Sequence, residues 1–142
     1  MLQREPALLH AAFDWGFGDW ESGIDAASHV GNREIAEFLL AQGARQTLFS
    51  AAMLGRLEVV QSFVTADPHA VRSLGPHSIT LMAHARAGGP RAAAVVDFLK
   101  AFGGADVGLP DLPLADSDRE QILGDYYSPS ASLPYSIDWD KG

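Results

Sequence analysis

Gly31-Asn-Arg-Glu-Ile-Ala-Glu-Phe-Leu-Leu-Ala-Gln-Gly43-Ala-Arg45 and Gly55-Arg-Leu-Glu-Val-Val-Gln-Ser-Phe-Val-Thr-Ala-Asp67-Pro68 read as one unit written twice. Asn32 is a good N-cap for a helix over about Arg33 to Gln42, whose Ile35, Phe38 and Leu39 share a face. Gly43 ends it, because glycine reaches the left-handed C-terminal position without the penalty of a side chain. In the second segment Asp67-Pro68 stops the helix instead, since proline cannot continue one. Small-residue stretches precede both segments, Ser22 to Val30 and Gln46 to Leu54, and each reads as a short leading helix. The unit is helix, turn, helix, and a repeated unit must stack to bury its apolar face.

A third copy runs from Ile79-Thr-Leu-Met-Ala-His-Ala-Arg-Ala-Gly88 through a second helix, Arg91 to Phe102, to Gly104-Ala-Asp106. Its second helix carries about three extra residues. The copies resemble ankyrin repeats, with a Thr-Pro-Leu-His-x-Ala-Ala-x-x-Gly first helix, a Glu-Ile/Val-Val second helix and a Gly-Ala-Asp ending. Ile24, Ala27, Gly31, Glu34, Ile35, Gly43 and Ala44 match in the first copy. Leu48, Ala51, Ala52, Gly55, Glu58, Val59 and Val60 match in the second, and Leu81, Ala85, Gly88, Gly104, Ala105 and Asp106 in the third. The expected fold is all-α, a short ankyrin-like helix-turn-helix solenoid with an irregular C-terminal extension. Its expected divisions are a partial repeat over 1–21 and repeats over about 22–45, 46–77 and 78–106. A linker, short helix and aromatic tail over 107–142 are expected to pack on the stack or on a partner.

The departures are informative. From Gly55 to Gly88 is 33 residues, but from Gly31 to Gly55 is 24. The missing stretch is where the family builds its β-hairpin finger, so a bare turn is expected between the first two copies. Counted back from each glycine, the tetrapeptide positions read Ser22-Gly-Ile-Asp25, Gln46-Thr-Leu-Phe49 and Ile79-Thr-Leu-Met82, and none is Thr-Pro-Leu-His. The N-terminal Glu5-Pro6 segment resembles the end of a repeat, which leaves Ala27, Ile35 and Phe38 as an expected uncapped end, open to self-association.

Composition narrows the partners. A net charge of -8 and the absence of cysteine oppose nucleic acid and anionic membrane surfaces, and exclude disulfides and thiolate metal sites. A cytoplasmic setting is expected, since the N-terminus lacks a secretory signal pattern and no apolar run approaches a membrane span.

The most unusual local composition is Phe13-Asp-Trp-Gly-Phe-Gly-Asp-Trp-Glu21, at the finger position before the first helix. Trp15 and Trp20 read either as interface anchors, with Asp14, Asp19 and Glu21 facing a cation, a sugar or a basic partner, or as a seal over the repeat end. His84 stands where the family has alanine, and His77 lies in the turn Gly75-Pro-His-Ser78. Their spacing matches no zinc signature, and a buried, hydrogen-bonded role is the better expectation for such histidines. His29 is expected at an exposed helix end, with His10 and His69 in loops.

The resemblance implies binding: the family recognises protein surfaces through its fingers and first helices. The face so implied holds Trp15, Phe17, Asp19, Trp20, Asp25, Phe49, Met53, His77, Met82 and His84, turned toward a protein partner of basic or neutral surface. The alternative is a small-molecule or enzymatic site formed by the Trp15/Trp20 loop with His77 and His84. No catalytic residue, metal or cofactor is assigned.

Overall fold

The computed structural model describes residues 2, 4–16, 18–110, 115–128 and 133–138, the side chains of 119, 133 and 135 apart. Phe17 and Trp139 lie outside them. Two units separate, Met1–Leu109 and Pro110–Gly142.

In the first unit each of three leading helices starts at a hydroxyl. Ser22 accepts the amide of Asp25 at the start of α1 (Gly23–His29), Thr47 that of Ser50 at α3 (Leu48–Leu54), and Thr80 that of Ala83 at α5 (Leu81–Ala87). Each bond satisfies an amide that has no partner within the helix. The sequence comparison missed this, because Val30 intervenes between α1 and Gly31 whereas Gly55 and Gly88 directly follow their helices. The caps of copies two and three therefore sit one position later than a count back from the glycine places them. Thr47 does more than cap: its hydroxyl donates to Oδ1 of the buried Asp25 at 2.6 Å. Thr47→Val is therefore expected to lower the unfolding free energy by roughly 2 kcal/mol in urea melts, against about 1 for Thr80→Val. Equal losses would show that the bond to Asp25 contributes nothing.

The following helices are α2 (Arg33–Ala41), α4 (Leu57–Ala66) and α6 (Ala93–Phe102). Asn32 caps α2 through the amide of Ile35, and Gly43 takes φ 97° beyond its end. Asp67 and Pro68 divert the chain from α4 into a 3-10 turn. The extra residues of the third copy form another such turn, Gly89–Ala92, so α6 begins after Arg91 rather than at it. Between α2 and α3 no strand intervenes. Ahead of α1, β1 (Ala12–Asp14) and β2 (Trp20–Ser22) form an antiparallel hairpin, and a single bridge between Leu74 and Thr80 precedes α5.

Each leading helix packs on its following helix, and α1, α3 and α5 pack on one another. Close approach depends on the repeated glycines: a Cβ at Gly31 would fall 2.4 Å from the Ala87 carbonyl oxygen, and one at Gly88 1.9 Å from that of Met53. Arg33 donates to the carbonyls of Met53 and Leu54 at the end of α3. The contact of α1 with α5 joins the first copy directly to the third. In a linear stack each copy meets only its neighbours. The described chain is thus largely helical, with its three leading helices mutually packed.

Two buried clusters result. Ile24, Ala27, Ala36, Met53 and Leu54 form one; the other includes Leu48, Val60, Val64, Leu81, Met82, Val95 and Leu99. Ala27 is therefore covered rather than part of an open end, while Ile35 and Phe38 remain exposed. In the second unit α7 (Asp116–Ile122) precedes an antiparallel pair, β3 (Gly124–Ser128) and β4 (Leu133–Ile137).

Candidate functional site

The β1–β2 hairpin builds the site. Gly16 and Gly18 take φ 98° and 84°, which lets the loop turn within five residues. The Asp14 carboxylate accepts the Gly16 amide, and Trp15 donates its amide to the Asp19 carbonyl. Strand alternation puts Phe13 and its partner Glu21 on one face, Asp14 and Trp20 on the other. Phe13, Trp15 and Trp20 are 58%, 56% and 60% exposed, so they do not seal the repeat end.

Asp19 joins this loop to the turn before α5. Its carboxylate accepts the His77 amide and faces His77 Nδ1, each at 2.9 Å. His77 and Ser78 both have positive φ, 59° and 58°. Each costs roughly 1 kcal/mol or more for a residue with a side chain, so the surroundings must hold them there. His77 Nε2 then lies 3.4 Å from Glu21 Oε1. His29 Nε2, at the end of α1, lies 2.7 Å from the same oxygen, and Trp15 Nε1 donates to Glu21 Oε2 at 3.0 Å. Glu21, with a side chain 10% exposed, thus collects two imidazoles and an indole. Ring contacts extend the cluster edge to face from Phe13 through Trp15, His77 and His29 to His84.

His84 is fully buried, and its Nδ1 lies 2.8 Å from Ser28 Oγ. Its Nε2, one of the few buried atoms without a partner among the described residues, lies against Gly75, where a Cβ would come within 2.6 Å. Burial lowers its pKa from 6.5 to about 4; Asp25 opposes the shift and His29 adds to it. The ring is neutral over the physiological range.

The structure thus divides the expected residues. Asp19, Trp20, Asp25 and Phe49 line one open depression of about 210 Å³ with Leu74 and Pro76, and Trp15 and His77 border the Glu21 cluster. Met53, Met82 and His84 are not on an accessible face, being 0%, 3% and 0% exposed. Asp25 is likewise buried, held by Ser22 and Thr47. His29, expected only to be solvated, instead pairs with Glu21. No local spacing rule links residues 21, 29 and 77. A strand, a helix end and a turn bring them together.

No helix among the described residues is long and apolar enough to cross a membrane. No protein-family model, curated protein or solved structure matches this chain.

Proposed function

We propose that the chain is a divergent, shortened ankyrin-like repeat protein that binds a protein partner through the hairpin before α1. The repeated order of hydroxyl cap, helix, glycine and helix supports the family assignment. Exposure of Phe13, Trp15 and Trp20 on one hairpin carries the functional one. Tryptophan is the residue most enriched among interface hot spots, and leaving several large aromatics in water forgoes burial that the fold makes no use of. Asp14, Asp19 and the net charge of -8 favour a partner of basic or neutral surface.

A small-molecule site is the weaker reading. The depression beside Trp20 is open, and its volume of about 210 Å³ falls below that of most ligand pockets.

Panning a random peptide library against the immobilised chain tests the proposal. Enriched peptides are expected to carry Lys or Arg beside apolar residues, and Trp20→Ala is expected to weaken them at least tenfold with an unchanged melting temperature. Peptides that bind the Trp20→Ala and Trp15→Ala variants as tightly as the parent chain would overturn it.

A further inference from the structure

We propose that Glu21, His29 and His77 bind one divalent cation of the zinc class, tying the hairpin, the end of α1 and the turn before α5 together. One oxygen or nitrogen from each of these side chains lies within 4.8 Å of the other two. Two imidazole nitrogens and a carboxylate oxygen suit zinc and its borderline neighbours, and three protein ligands leave a fourth position for water or a partner's donor.

The hydrogen-bond pattern around His77 points to the cation. Asp19 holds both the His77 amide and Nδ1 at 2.9 Å, which aims Nε2 at Glu21 Oε1, 3.4 Å away, a separation that a shared ion would bridge. In tetrahedral zinc sites neighbouring ligand atoms are roughly 3.3 Å apart, given bond lengths near 2.1 Å. The His77–Glu21 separation already fits, and the His29–Glu21 separation of 2.7 Å needs to open by about half an ångström.

The supporting groups have the arrangement such sites use. A carboxylate fixes the orientation of one imidazole, Asp19 on His77, and Trp15 Nε1 fixes the ligating carboxylate by donating to its other oxygen. Asp19 also holds the His77 backbone in its left-handed conformation through the amide. The ligands are partly shielded, with side chains 10%, 19% and 37% exposed for Glu21, His29 and His77. The strongly acidic chain also favours cation capture.

Titration of the untagged full chain with zinc chloride by calorimetry, and with cobalt(II) by visible absorption, tests the site. One ion per chain is expected, together with the visible bands of four-coordinate cobalt and a change in tryptophan fluorescence through Trp15. His77→Ala and His29→Ala should each weaken binding more than tenfold, and Asp19→Asn by roughly 10- to 100-fold. His10→Ala and His69→Ala, which alter exposed histidines away from the cluster, should leave the affinity unchanged. Circular dichroism melts without metal separate loss of the site from loss of the fold, and His77→Gln serves if His77→Ala unfolds. Absence of binding, equal affinity in a folded His77 variant, or zinc bound only between two chains by light scattering would overturn the proposal.

Discussion

Gly55→Ala is expected to lower the unfolding free energy by about 3 kcal/mol, whereas Gly89→Ala should cost about 1. Both glycines have positive φ, 74° and 63°, so the backbone penalty for a side chain is shared. Their surroundings differ. A Cβ on Gly55 would sit 2.2 Å from the Arg91 carbonyl oxygen and 3.1 Å from Ala92 Cα, backbone atoms of the third copy that cannot rotate away. A Cβ on Gly89 meets nothing within 4 Å. The alanine at position 55 must therefore push the second and third copies apart, opening the interface between α3 and the turn before α6. Urea denaturation of the two variants checks this, and the melting temperature of the first should fall by roughly 10 °C. Equal losses would mean that Gly55 is required only for its φ and that the copies do not approach so closely.

Acid is expected to destabilise the fold by about 3 kcal/mol through His84 alone. The unfolded chain's imidazole takes up a proton near pH 6.5, while the folded ring does so only near pH 4 because burial opposes its charge. Between those values the unfolded state binds more protons. Stability is therefore unaffected by this group above pH 6.5, declines as pH falls through the window, and levels off below pH 4. His84→Gln keeps a polar group beside Ser28 but cannot ionise there, so urea melts at pH 7 and pH 4.5 should show a smaller acid loss in the variant. The other titrating groups are common to both proteins and cancel in the comparison. An identical pH dependence would show that His84 takes up its proton at the same pH in the folded as in the unfolded chain, with Ser28 and nearby acids accommodating the charge.

These two residues mark different degrees of legibility. Gly55 was visible in sequence, because a glycine after an apolar helical run is a local stop signal. Its contact with Arg91 was not, since that depends on the third copy. The burial of His84 was the better expectation from sequence, yet the same residue was placed on the binding face. Met53 in α3 and Met82 in α5 share that misplacement, and for Met53 the reason lies in the composition of α3. Six of its seven residues, Leu48, Ser50, Ala51, Ala52, Met53 and Leu54, are buried, so no polar stripe tells its inner face from its outer one.

By itself the sequence determined the helix pairs and several of their ends, though not the starts of α3, α5 and α6. Caps such as Asn32 and stops such as Gly43 and Asp67-Pro68 act within one turn of backbone, so neighbouring residues suffice to read them. The tryptophan-rich stretch was legible as a turn for the same reason, its glycines and aromatics being contiguous, but the pairing of β1 with β2 was not. Only the tertiary structure decided that α1 meets α5, that Ser28 faces His84 across that contact, and that Glu21, His29 and His77 converge. Those residues belong to elements that are separate in sequence, and their approach depends on how the three leading helices pack. Packing is a property of whole helix surfaces and not of any short segment, which is why the scaffold can be read from the chain while the site cannot.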